Sequence, residues 1–201
     1  SDITKLKILN NDVFNIEIEY DNKKYTIGLN GKYQIYNTLT VLKVVEVLNK
    51  LKFITKYQDV YYGIKNTSIA GRFEILSNKP LIIADGAHNK SGIKVFIQSI
   101  IEIKCDNKIA IVSILKDKDI TSMDKLFCNN FDKIIIVPIN TLRGSDIKYI
   151  ENDIKQYNKN VECIFDYKEA INLAKKYANN TGMICIFGSL YLISDIRKII
   201  L

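Results

Sequence analysis

Five short aliphatic runs, separated by stretches with helical spacing, constrain the fold of this 201-residue chain more than any other feature. They are Leu81 to Ala84, Ile109 to Ile114, Lys133 to Val137, Val161 to Phe165 and Met183 to Phe187. A half-exposed strand alternates apolar and polar residues, whereas a strand covered on both faces is apolar at successive positions. Leu81 to Ala84 is of the second kind. Between the runs the spacing predicts helices near Lys90 to Ile103, Met123 to Cys128, Ser145 to Tyr157 and Lys168 to Ala178, with a last one from Leu190 to Leu201. Repeated strand, crossover and strand units build an α/β domain with a parallel, doubly wound sheet.

The first third of the chain reads differently. Val13 to Tyr20 alternates, Asp21 and Asn22 suit a turn, and Lys24 to Leu29 completes a hairpin. A helix is predicted from Gln34 to Leu51, with Ile35, Leu39, Leu42, Val45 and Leu48 on one face, and a shorter one from Gln58 to Asn66. Ile69, Ala70 and Gly71 suit a hinge. The expected division is therefore 1–70 and 71–201.

Composition narrows the setting. No apolar run approaches the ~20 residues that cross a bilayer, and the first residues lack the pattern of a signal peptide, so a cytoplasmic protein with no membrane partner is expected. Cys105, Cys128, Cys163 and Cys185 are scattered without a CxxC pair and read as reduced thiols rather than disulfides or metal ligands. The net charge of +7 comes from 29 basic residues interleaved with 22 acidic ones. No basic stripe forms, which argues against nucleic acid and leaves a mild attraction for anionic substrates.

Polar residues at strand ends mark the candidate site. The run Leu81 to Ala84 stops at Asp85 and Gly86, and His88, the chain's single histidine, follows before Asn89 or Ser91 can cap a helix. Ile114 leads into Leu115 to Asp119, and Phe187 into Gly188 and Ser189. In a parallel sheet these three clusters meet at the carboxyl edge, where such folds place their ligands, and helix N-termini there favour anions. Taken alone, each residue also has a plain structural reading. Asp85 or Ser189 can be a helix cap, Arg72 half of a salt bridge, and His88 a surface residue.

Four stretches carry a resemblance: GKYQIYN at 31–37, GRFEIL with LIIADGAHN across 71–89, SILKDKD at 113–119, and FGSLYLISDIR at 187–197. In this order they resemble the folylpolyglutamate synthase and dihydrofolate synthase family of the Mur ligase superfamily. The resemblance implies that 1–70 is the end of a central ATP-binding domain and 71–201 a Rossmann-like C-terminal ligase domain. It also implies ATP-dependent amide formation, in which a carboxylate of dihydropteroate or folate is phosphorylated and the amine of L-glutamate attacks the acyl phosphate.

Carried over by position, Asn37, Arg72 and Asp85 match family residues that contact ATP, while His88 and Ser189 match positions near the phosphate or the incoming glutamate. Arg72 and His88 are the catalytic candidates. Tyr33 stands where the family often has histidine. Nothing matches the family's phosphate-binding loop, so the magnesium ligands are expected upstream of this stretch, which should be inactive alone. The intact enzyme is expected to be a monomer. Residues 1–70, lacking their upstream partners, are expected to be loosely ordered or to cover their open face by self-association. Arg72, Asp85 and His88 are expected to be replaceable by alanine without loss of folding. Two alternatives share parts of this pattern: another Mur-type amino-acid ligase, and a non-catalytic Rossmann-like binding module.

Overall fold

A computed structural model describes residues 3–53, 55–116, 120–139 and 144–201. The chain divides into two compact units, 1–70 and 71–201.

In the first unit, β1 (Leu6–Asp12), β2 (Asn15–Tyr20) and β3 (Lys23–Ile27) form an antiparallel sheet in that order. The predicted hairpin is β2 with β3. Its alternation buries Ile16, Ile18 and Tyr20 on one face. β1 was not predicted, because its residues are mostly exposed and carry no alternation to read. Helix α1 (Gln34–Lys50) lays Ile35, Leu39 and Leu42 on this core, and α2 (Tyr57–Asn66) adds Ile64. The predicted stripe on α1 is longer than the buried one. Val45 and Leu48 are only half-buried, while Val41, Val44 and Val47 are about half exposed. The Tyr20 hydroxyl donates to Glu46 Oε1 at 2.6 Å, tying β2 to the second half of α1.

The second unit is the doubly wound domain, with six strands in the order β4-β5-β9-β6-β7-β8. Four parallel pairings join β5 (Leu81–Asp85), β9 (Met183–Phe187), β6 (Lys108–Val112), β7 (Lys133–Ile136) and β8 (Val161–Cys163). The antiparallel edge strand β4 (Glu74–Asn78) was not predicted, since Glu-Ile-Leu-Ser-Asn has neither an apolar run nor a turn signal long enough to mark it. Helices α3 (Lys90–Ile100), α4 (Ile120–Phe127), α5 (Ile147–Ile154), α6 (Tyr167–Ala178) and α7 (Leu190–Ile200) supply the crossovers and the close. α5 starts later than its predicted span because Asp146, whose carboxylate accepts from Lys148 N at 2.9 Å, caps its start, and it ends at Ile154 rather than Tyr157.

Successive strand residues face opposite sides. Ile82, Ala84, Ile109, Ile111, Ile184 and Ile186 pack with α6 and α7 in one layer. Phe187 belongs to the opposite layer, ringed by Phe96 of α3 and Phe127 of α4 at 5.3 and 5.1 Å and by Phe131 at 5.7 Å. The central strands β5, β9, β6 and β7 are therefore covered on both faces, whereas the edge strand β8 (Val-Glu-Cys) is only half-buried.

Because three aromatic rings converge on the fully buried Phe187, Phe187→Ala should cost about 3–5 kcal/mol. Urea unfolding of the 201-residue chain, followed by circular dichroism, would measure it. A cost below about 1 kcal/mol would contradict this packing.

Candidate active site

The carboxyl ends of β5, β9 and β6 lie side by side in register, with Asp85 paired to Phe187 and Phe187 to Val112. Backbone bonds extend beyond the strands. Gly188 N donates to Ala87 O at 2.8 Å, Ser113 N to Phe187 O at 3.4 Å, and Gly86 N to Gly71 O at 2.7 Å. The segments after the three strands thus meet at one edge, apart from Asp117 to Asp119, which lie outside the described residues. Gly188 holds this junction in the left-handed region at φ 100°, and a Cβ there would run into the Ser113 carbonyl.

Asp85 is buried, and its carboxylate spans two chain segments. Oδ2 accepts from Phe73 N at 2.9 Å and Oδ1 from Ala87 N at 2.8 Å. Two charge-assisted bonds replace much of the hydration that a buried carboxylate gives up. Their result is geometric: the exit of β5 is stitched to the turn before β4.

Arg72 sits in that turn between two constrained neighbours. Gly71 has φ 68° and its N–H donates to Glu74 Oε2 at 2.8 Å. Phe73 has φ 48°, a conformation costly for a residue with a side chain, and is held in it by complete burial, by Phe96 at 5.7 Å and by Asp85. Glu74 is fixed in turn by Arg197 of α7, whose Nε lies 3.0 and 2.9 Å from its two oxygens. Arg72 itself is exposed. Its Nη1 lies 3.3 Å from the point where a Cβ on Gly86 would stand, so the missing side chain makes room beside the guanidinium.

His88 is half-buried, with Nδ1 2.7 Å from the Gly86 carbonyl. A carbonyl only accepts, so the proton of the neutral ring sits on Nδ1 and Nε2 keeps its lone pair. Asn89, rather than Ser91, caps α3, accepting from Gly92 N at 2.8 Å. Ser189 is buried, and its Oγ accepts from Tyr191 N at 3.2 Å as the cap of α7. The structural reading of Ser189 is thus the one its bonds display, and it brings the amide end of α7 to the carboxyl edge.

Asn37 belongs to the first unit. Exposed on α1, it donates from Nδ2 to Gln34 Oε1 at 2.8 Å. It lines a mostly apolar cavity of about 430 Å³ together with Gln34, Thr38, Val41, Ile64 and Ile69. Among the described residues, no group of three or more His, Cys, Asp or Glu side chains is placed to hold a metal ion.

Glu74, Arg197 and Phe73 lie in stretches that carry the resemblance, but their positioning roles escape a reading of the sequence. Each acts by holding a neighbour, and a residue that positions another through a contact 123 places away leaves no local signal.

Comparison with known proteins follows this geometry closely. Residues 71–190 match the family model described as Mur ligase, glutamate ligase domain. The dihydrofolate synthase/folylpolyglutamate synthase of Buchnera aphidicola from Acyrthosiphon pisum is 33% identical over 149 residues, 72% of this chain and 35% of that protein. A UDP-N-acetylmuramoyl-L-alanyl-D-glutamate–2,6-diaminopimelate ligase of Helicobacter hepaticus is 28% identical over 168 residues, covering 80% of this chain and 34% of its own length. Among solved structures, Mycobacterium tuberculosis folylpolyglutamate synthase complexed with ADP and AMPPCP superposes with a TM-score of 0.81 at 19% identity, covering 98% of this chain and 48% of that one. The chain spans about a third to a half of the length of these proteins.

Of Arg72, Asp85 and His88, each expected to be replaceable without loss of folding, Asp85 carries the largest stability cost, because its carboxylate accepts two backbone amides. Asp85→Ala strands the Phe73 and Ala87 amides, at about 1–3 kcal/mol for each buried donor. Arg72→Ala and His88→Ala should each change stability by less than about 1 kcal/mol, as exposed or half-exposed side chains do. Thermal and urea unfolding of the three variants would check this order, and an unaffected Asp85→Ala would refute the stitching role.

Proposed function

The chain belongs to the Mur ligase family, matched through its glutamate ligase domain, and from that premise we propose that it is the carboxyl-terminal part of an ATP-dependent ligase joining L-glutamate to a dihydropteroate or folate carboxylate. In this reaction the substrate carboxylate attacks the γ-phosphorus of ATP and ADP leaves. The glutamate amine then attacks the acyl carbon, expelling phosphate and forming the amide.

The observation that carries this reading is the preparation of Arg72. The backbone that carries the exposed Arg72 is held on both sides, at Gly71 through Glu74 and Arg197, and at Phe73 through Asp85. Cations fixed before the reaction stabilise charge that develops on phosphoryl oxygens without reorganising at the moment of reaction. Arg72 takes that task as a two-pronged donor. Asp85 contributes by orienting it and by closing the nucleotide's side of the edge. His88, with a free lone pair on Nε2, stands ready to accept a proton as the glutamate amine becomes a nucleophile. The amide end of α7, capped by Ser189, favours a carboxylate or phosphate at the same edge. Asn37 offers a carboxamide with both donor and acceptor for the edge of adenine.

On this reading 1–70 belongs to a central ATP-binding domain and 71–201 to the ligase domain. The phosphate-binding loop and the magnesium-binding residues are supplied by sequence outside these 201 residues. Magnesium, bound with ATP, would neutralise phosphate charge.

Two measurements test the proposal. The 201-residue chain, given ATP, magnesium, dihydropteroate or tetrahydrofolate and glutamate, should release no ADP above a heat-denatured control. In a polypeptide carrying this chain behind a phosphate-loop domain, His88→Ala should lower kcat about 10- to 1000-fold, or roughly 1.4–4 kcal/mol of transition-state stabilisation. Arg72→Ala should lower kcat/KM for ATP. Full activity in both variants would remove the site assignment, and turnover only with a UDP-muramoyl peptide and a diamino acid would replace the folate substrate with a cell-wall one.

A further inference from the structure

Away from the carboxyl edge, the layer formed by α3, α4 and α5 encloses a carboxyl group that the proposed reaction does not use. Asp124 of α4 is fully buried, and neither of its oxygens has a hydrogen-bond donor. The group within hydrogen-bonding reach is another carboxyl, Asp153 of α5. Asp153 Oδ2 is likewise buried without a donor, while its Oδ1 accepts from Gln156 Nε2 at 3.3 Å.

Neighbouring elements supply no cation to this pair among the described residues. The buried residues of α3 are Ile93, Phe96, Ile97, Ser99 and Ile100, and its Lys90 and Lys94 are exposed. On α4, Lys125 is exposed and sits 5.9 Å over the Tyr157 ring. On α5, Lys148 is exposed, and Glu151 is engaged by Lys155 at 2.7 Å. The turn after α4 contributes the buried Cys128 thiol, which carries no charge to offset a carboxylate and is itself pushed up by burial and by the nearby Asp124 and Asp153. Two ionised carboxylates in contact, without donors or a counter-ion, are strongly unfavourable in such a place. One proton between them converts the repulsion into a hydrogen bond.

We propose that Asp124 and Asp153 share a proton, that the resulting carboxyl–carboxylate bond clamps α4 to α5, and that loss of this proton in mildly alkaline solution loosens the clamp. The helices it joins lead back to the carboxyl edge. Leu115, after β6, bridges to Gly144 ahead of α5, and Ser145 N donates to Ile114 O at 3.4 Å. This inference stands independently of the proposed function.

Its sign follows from the direction of the shift. Burial first, and then Asp153, raise the Asp124 carboxyl from its ordinary 3.8 to about 8. The folded chain keeps a proton in that window which the unfolded chain has released. The clamp's contribution to stability is complete below about pH 4, falls through the window as pH rises, and is gone above about pH 8. The folding constant should fall by up to about tenfold per pH unit on this account.

Carbon-13 NMR of the 201-residue chain labelled in aspartate carboxyls, titrated from pH 4 to 9, provides a direct test. One carboxyl resonance should titrate near pH 8, and it should be missing from Asp124→Asn. Urea unfolding at pH 5.5 and 7.5 provides a second. The chain should lose up to about a hundredfold in its folding constant between these values, while Asp124→Asn, whose amide donates to Asp153, should lose much less. Asp153→Asn, which gives Asp124 a donor, should also abolish the titration near pH 8 and serves if the first variant does not fold. Every aspartate titrating below pH 5 in the unmutated chain, or equal pH slopes in the chain and its variants, would overturn the proposal.

Discussion

A single buried carboxylate organises the carboxyl edge of the sheet. Asp85 accepts one backbone amide from the turn before β4 and another from the turn after β5. The bond to Phe73 N and the burial of the Phe73 ring together hold that residue at φ 48°. Phe73 and Gly71 in turn fix the backbone from which Arg72 projects. The bond from Gly86 N to Gly71 O closes the same loop from the other side. A charge usually found at surfaces is here a structural bolt, affordable because both of its oxygens meet donors.

The second constraint is the close approach of strands β9 and β6 where they end. Gly188 accepts a left-handed backbone and lies against Ser113 without a side chain in the way. The Phe187 ring then faces Phe96, Phe127 and Phe131 just beneath the edge. Aromatic packing below and backbone hydrogen bonds above make a rigid platform. Rigid platforms suit chemistry that depends on fixed charge rather than on a mobile nucleophile.

Much of the architecture was legible because burial on both faces leaves a strong mark. Met183 to Phe187 reads as a strand from end to end, since every one of its residues is buried. β4 and β1 left no such mark. Both are edge strands with mixed exposure, and their place is set by pairing with β5 and β2 rather than by their own residues. The stripe on α1 was over-read for a related reason. Apolar spacing identifies a face, but whether Val45 and Leu48 are covered depends on what lies opposite them.

By itself the sequence determined the strand and helix periods, the residues available at strand ends, and a set of motifs with a family likeness. These are local properties, carried by side-chain type and spacing along one segment. Only the tertiary structure decided that β9 inserts between β5 and β6, which brings Gly188 against Ala87. It also decided that Asp85 bonds to backbone, that Ser189 caps α7, and that Glu74 is gripped by Arg197 from the far end of the chain. The same holds for the carboxyl pair of Asp124 and Asp153, two aspartates that look like ordinary surface residues in the sequence. Burial and the absence of a donor arise from neighbours that are distant in the chain, so no reading of one segment can reveal them.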